Sequence, residues 1–416
     1  MLRFFLHIFN SLSSRRTWLH GISAAWALTA LLLCGCDEKE APDLPTDKTS
    51  GKDCAVLLYA VASNNLASSL FSDLSEIKTA ASEIDLKANS FYVYFLTNKE
   101  TPALYKLTRD HDGSADFTYT KIKDYDRSRF STDPRRIAEV IGEFKSLSDK
   151  AATHGIIFWS HGTGWTPDFS THEPSADSDS GVTSNQKRSF GWDQLSDDID
   201  HCDIIELADA IPAGLFDFIW FDCCYMSGIE LAYQLRDKTR WLVAYPTEVW
   251  SDGMPYDLTL PMILRRKPDL TGAAEAFASY YLDKEMAVTI GVCDLDKIEK
   301  VAELAEKCVK GVRPPRYSFH NFGRSGIGPF FDFGDYTRQW GAGYDGEWSV
   351  ADFDAALDCL VVYKAASAKD FSGKNIDPEK FSGLTVHYFD DLWDDPSNYY
   401  MQLDWFKRVY TTIPDF

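Results

Sequence analysis

Two short passages carry side chains able to do covalent chemistry. GIIFWSHGTGW, from Gly155 to Trp165, takes an apolar run into a histidine, His161. FDFIWFDCCYM, from Phe216 to Met226, takes another into two cysteines, Cys223 and Cys224. Each reactive residue falls on the loop just beyond the C-terminal end of an expected strand. Open α/β sheets place their chemistry on such loops. A thiol and an imidazole at two such ends suggest a cysteine nucleophile with its base. Histidine titrates near neutrality with little tuning, which suits proton transfer. Gly162 and Gly164 let the backbone turn tightly, and the Gly162 amide can point at a developing oxyanion. The alternatives are a structural histidine, a buried cysteine pair, or a strained vicinal disulfide. The pattern after the cysteines (Ile229, Ala232, Tyr233, Leu235) is helical, so the thiols are expected at a helix N-terminus, where the dipole favours a thiolate.

The elements around these loops read as an α/β fold. Val56 to Val61, Phe91 to Leu96, Gly155 to Trp159, Phe216 to Phe221, Trp241 to Ala244 and Met286 to Val292 are short runs, apolar on both faces, as buried parallel strands are. Between them lie helical patterns. The clearest starts at Asp133-Pro134, a cap with proline in the first turn, and puts Ile137, Val140, Ile141, Phe144 and Leu147 on one face. A second runs from Thr271 through Phe277 and Tyr280. This alternation predicts a sandwich around a mostly parallel sheet. Residues 166–200 read as a long polar loop, of a length that marks function or motion. Near the C-terminus, Gly328 to Tyr336 and Gly383 to Phe389 read as strands, and Ala351 to Ala365 and Met401 to Val409 as helices. They extend the sheet or form a smaller subdomain; both suit the pattern.

The chain has 416 residues, 45% of them apolar, enough for one large domain or two. The first 35 residues read as an export signal. Arg3, Arg15 and Arg16 precede an apolar stretch from about Ile22 to Leu33, shorter than the roughly 20 residues that span a bilayer. Leu33-Cys34-Gly35-Cys36 resembles a bacterial lipobox, which implies cleavage before Cys36 and lipidation of its thiol. The alternative is an uncleaved anchor. Residues 36–52 read as a polar tether, residues 53–310 as the main domain, and 311–416 as a C-terminal part packed on it or extending it. The expected address is the cell envelope, with the membrane face open. The formal charge of −21 repels nucleic acid and anionic lipid, so contact with the membrane is expected through the anchor alone. Beyond Cys36 seven cysteines remain, with no CxxC pair, so a zinc site is not expected.

The ordered motifs resemble the clostripain family of cysteine peptidases, relatives of caspases, legumains and gingipains. The family has a His-Gly after one strand and Asp-Ala-Cys-Leu-Met after the next. Here these stand as His161-Gly162 and Asp222-Cys223-Cys224-Tyr225-Met226. Further likeness lies in Ser189 to Asp193, Asp203 to Pro212, Tyr245 to Tyr256 and Ser382 to Leu384, so the resemblance spans roughly residues 53–410. It implies a caspase-like three-layer sandwich. It implies that Cys224 is the nucleophile, with Cys223 in the family's alanine position, and that His161 protonates the leaving amine. The amides of Gly162 and Cys224 would hold the oxyanion. Asp222 and Asp252 would line a pocket for Arg or Lys, giving peptide or protein substrates with basic residues; the alternative role for Asp222 is a cap on the following helix. Relatives are often cut between the two loops, and Lys187-Arg188, a basic pair expected to be exposed, suits that. No cofactor carries this chemistry. Some relatives depend on calcium, but Asp177-Ser178-Asp179-Ser180-Gly181 lacks EF-hand spacing, with Arg188 where a bidentate Glu belongs. The competing reading is a silent surface lipoprotein that uses the fold to bind proteins or glycans.

Overall fold

The computed structural model describes residues 52–97, 100–111, 113–165, 189–195, 198–322, 330–388 and 399–410. In chain order the strands are β1 (Lys52–Ala62), β2 (Asn89–Thr97), β3 (Ala103–Arg109), β4 (Phe117–Asp124), β5 (Ala151–Trp159), β6 (Phe190–Leu195), β7 (Asp198–Cys202), β8 (Phe216–Asp222), β9 (Thr239–Ala244), β10 (Thr289–Asp294), β11 (Asn321–Phe322), β12 (Phe330–Asp332), β13 (Val361–Ala366) and β14 (Thr385–Val386). Nine of them form one sheet, in the order β13-β10-β9-β8-β5-β1-β2-β3-β4. The central five, β9-β8-β5-β1-β2, run parallel. Two antiparallel strands close each side: β3 and β4 beyond β2, and β10 and β13 beyond β9. The order of addition reverses at β1, with β2 on one side and β5, β8 and β9 on the other. The crevice beside such a switch, at the carboxyl ends, is where an open sheet binds its ligand.

The strands are apolar on both faces because both are covered. In β1, Ala55, Leu57, Tyr59 and Val61 point into one core, and Cys54, Val56, Leu58 and Ala60 into the other. The first core is closed by α2 (Pro134–Leu147), α3 (Ile204–Ala210), α4 (Ile229–Gln234), α7 (Ile298–Cys308), α8 (Phe333–Gly341), α9 (Val350–Leu360) and α10 (Asp404–Val409). The second is closed by α1 (Ala67–Ala80), α5 (Tyr256–Ile263) and α6 (Leu270–Leu282). This is the expected three-layer sandwich. The cap of α2 is as read: the Asp133 carboxylate accepts from the Arg135 amide, with Pro134 in the first turn. Leu147, at the end of that face, is 40% exposed.

Three readings change. The interval expected to be a loop to residue 200 carries the β6–β7 hairpin. Residues 351–365 are not one helix: α9 stops at Leu360, and Val361 opens β13, which pairs with β10. Within the described part of the run from Gly328, Phe330–Asp332 is a strand, and α8 follows it, capped by Asp332. From residue 311 on, the chain thus returns to the same sheet and the same core. Among the described residues no helix is long and apolar enough to cross a membrane.

Candidate active site

Register brings the two loops together. On the parallel strands β5 and β8, Trp159 lies opposite Asp222. Two residues further along each strand stand His161 and Cys224. Neighbouring strands are about 4.8 Å apart, so the two loops leave the sheet from adjacent strand ends. The loops touch through backbone: a Cβ on Gly162 would lie 2.5 Å from the Cys224 carbonyl oxygen and 2.9 Å from Cys223 Cβ. Only glycine permits that approach. Among the described residues the Gly162 amide donates to no backbone carbonyl.

The histidine loop is held on both sides. Ser160 Oγ donates to the Val61 carbonyl at 2.7 Å. The Gly191 amide donates to the His161 carbonyl at 3.0 Å, and the Thr163 amide to the Ser189 carbonyl at 3.0 Å. The β6–β7 hairpin therefore lies along the His-Gly-Thr backbone. The His161 ring sits 5.4 Å from the Trp192 ring, and its Nε2 is 2.7 Å from Asn65 Oδ1, on the loop after β1.

The two cysteines differ. Cys223 is 1% exposed, with Sγ 3.2 Å from the Phe158 carbonyl in the core. Burial pushes its thiol well above the usual range, and the Asp222 carboxylate adds to this. Cys224 is half-buried, and its Sγ accepts from the Val249 amide at 3.4 Å. No vicinal disulfide joins them. The expected helix dipole is not at hand, because α4 starts only at Ile229. Between them the chain turns through Tyr225, whose φ of 61° is left-handed. That conformation costs a non-glycine residue roughly 1–2 kcal/mol. The Tyr225 amide donates to the Thr247 carbonyl at 3.0 Å, and its ring stacks on Phe330 at 4.7 Å, which offsets the strain. The turn leaves Cys224 accessible while Cys223 and Met226 stay in the core.

Asp222 is buried and does not cap α4. Its Oδ1 accepts from the Tyr245 hydroxyl, and its Oδ2 from the Tyr256 hydroxyl and the Met254 amide, each at 3.1 Å. Burial raises its pKa to about 6, against these three donors. No described Lys or Arg pairs with it, among the ion pairs of the described residues. Gly253 is required beside it: its φ is 57°, and a Cβ there would lie 2.8 Å from Asp222 Oδ2. The neighbouring Asp252 is exposed. A third carboxyl escaped the sequence reading. Asp73, on α1, is 1% exposed; Trp159 Nε1 donates to its Oδ2 at 2.8 Å, and its Oδ1 has no partner. Burial first, then the charge of Asp222, with Glu76 and Asp252 behind it, pushes its pKa up to about 9. The charges of Asp222, Glu76 and Asp252 thus all bear on Asp73.

Cys36, Lys187, Arg188 and the Asp177 to Gly181 stretch lie outside the described residues. Among the described residues no group of three or more His, Cys, Asp or Glu is arranged to hold a metal ion. The sequence reading also missed Asn65, Trp192 and Tyr225. For Asn65 a signal existed: Ser63-Asn64-Asn65 is the polar exit from the first strand of a sheet that switches direction there. For a left-handed tyrosine none did.

The chain belongs to the clostripain family of cysteine peptidases, whose model matches residues 58–321. Two solved structures share the fold over most of their length. One is an inactive zymogen C11 protease from Parabacteroides distasonis, 24% identical, covering 88% of this chain and 99% of that one, with a TM-score of 0.72. The other is a secreted C11 cysteine protease from Bacteroides thetaiotaomicron in complex with an irreversible peptide inhibitor, 22% identical, covering 86% and 99%, with a TM-score of 0.71. No curated protein matches the chain.

Proposed function

We propose that this peptidase hydrolyses the bond after Arg or Lys through a Cys224–His161 dyad. The observation that supports it is the pairing of Trp159 with Asp222, which makes the loops of His161 and the half-buried Cys224 the exits of two neighbouring parallel strands. The Cys224 thiolate attacks the peptide carbonyl, and its electron pair makes the new C–S bond. The Gly162 and Cys224 amides hold the oxyanion. Collapse of the intermediate breaks the C–N bond as His161 gives its proton to the leaving amine. Water, deprotonated by His161, then hydrolyses the thioester and returns the thiol.

The buried carboxyl of Asp222, two residues before Cys224, and the charges of Asp222, Glu76 and Asp252 that bear on Asp73 support the basic preference. A guanidinium or ammonium at Asp222 replaces the missing cation and favours its charged form. Cys36 is the proposed lipidation site, tethering the peptidase to the cell envelope. Labelling with a clickable fatty-acid analogue checks it: label that survives Cys36→Ser removes the anchor. The activity is tested with mature protein on fluorogenic peptides carrying Arg, Lys or norleucine before the reporter. Arg and Lys peptides are turned over, and His161→Ala and Cys224→Ala are inactive. Full activity in either variant would dismiss the dyad, and equal turnover of norleucine would dismiss the pocket.

A further inference from the structure

We propose that Asn65 is a positioning residue for His161, fixing its tautomer and ring orientation. The proposal rests on the dyad above and adds a member from a third strand exit. Asn65 Oδ1 lies 2.7 Å from His161 Nε2. An amide oxygen carries no hydrogen, so the bond forms only with the proton on Nε2. In the neutral ring Nδ1 then keeps its lone pair, as the nitrogen able to receive a proton from the thiol.

The loop that carries Asn65 is built to hold still. Asn64 Nδ2 donates to the Val61 carbonyl at 3.2 Å and to the Trp192 carbonyl at 2.7 Å, and Asn64 Oδ1 accepts from the Leu66 amide at 2.8 Å. Ser63 Oγ donates to the buried Asp193 carboxylate. Asn64 thereby ties the β1 exit to the β6–β7 hairpin, and Trp192 of that hairpin sets its ring against His161. With Asn64 and Ser63 spent on the backbone and the hairpin, the side chain of Asn65 is the one this loop turns toward His161. Helix α1 begins at Ala67 and anchors the far end.

Two measurements test it. In Cys224→Ala protein, the ring nitrogens of His161 are read by 15N NMR above the pH of its titration. The expected result is a single tautomer with the proton on Nε2, becoming a mixture in the Asn65→Ala background. In otherwise wild-type protein, Asn65→Ala lowers kcat about tenfold with KM unchanged, a small part of the roughly 100- to 10,000-fold that proton transfer supplies. Asn65→Asp keeps kcat and moves the alkaline limb of the pH profile up by about one unit, because a carboxylate favours the imidazolium. A residue with only a structural role would move neither tautomer nor limb. If Asn65→Ala does not fold, Asn65→Asp, of the same size, carries the test through its pH profile. Proton on Nδ1 in the parent, or unchanged kcat and profile in both variants, overturns the proposal. Failure of the dyad reads differently: His161→Ala would stay active whatever the tautomer.

Discussion

Replacing Gly162 by alanine tests whether contact between the two loops is what makes the site. Gly162 is not in the left-handed region, so alanine adds no backbone strain there. It adds one carbon, which would stand 2.5 Å from the Cys224 carbonyl oxygen, 2.9 Å from Cys223 Cβ and 3.0 Å from Met226 Cγ. Ordinary contact begins near 3.4 Å, so the loops must part by about 0.9 Å. The nearest atom is backbone, and no rotamer change relieves it. A misplacement of about 1 Å costs on the order of 100-fold in rate, and overpacking costs roughly 1–3 kcal/mol in stability. Gly142, inside α2, has nothing within 4 Å of its Cβ position and serves as the control. Gly142→Ala should gain about 1 kcal/mol from helix propensity and keep full activity. The assay is kcat/KM on a basic fluorogenic peptide, with a denaturant melt for each variant. A Gly162→Ala protein within threefold of wild type in kcat/KM and unchanged in its melt would show that the loops are not in contact.

Iodoacetamide at neutral pH should alkylate Cys224 and spare Cys223, whose thiol burial holds in its protonated form; peptide mapping checks it, and label on Cys223 alone reverses the assignment. Turnover of Arg peptides should gain a limb that norleucine peptides lack, with kcat/KM rising as pH passes about 6 and Asp222 ionises. The same shift has a stability sign: the folded pKa lies above the unfolded value of about 4, so protonated Asp222 stabilises the fold at low pH, and this is lost as pH rises through 6. Asp222→Asn should abolish the Arg-specific limb, and its persistence would place the titration elsewhere. Cleavage after Arg188 should leave both fragments in one particle, because Ser189 and Gly191 stay bonded to Thr163 and His161. Gel filtration after cleavage checks this, and separation of the fragments would contradict it.

The central strands and their order of chemistry were readable because their signals are local. A run such as Val56 to Val61 is buried on both faces, and nothing but a covered sheet hides it. The cap at Asp133-Pro134 announces α2 for the same reason. The outer hairpin β3–β4 was not read, because its side chains are only partly covered and lack a continuous apolar run. The change from α9 to β13 fell inside one apolar stretch, where the pattern alone does not separate helix from strand; pairing with β10 decides it.

The residues of the site divide in the same way. By itself the sequence determined that a histidine loop and a cysteine loop follow buried strands, with an acid two residues before the second cysteine. Tertiary structure alone decided which cysteine reaches the surface, since that depends on the left-handed turn at Tyr225 and its stacking on Phe330. It also set Asn65 against His161, 96 residues apart, and Asp73 against Trp159, 86 apart. Such contacts leave no periodic trace, because each joins two loops or elements whose distance along the chain is arbitrary. Strand register fixes them, and register is a property of the assembled sheet.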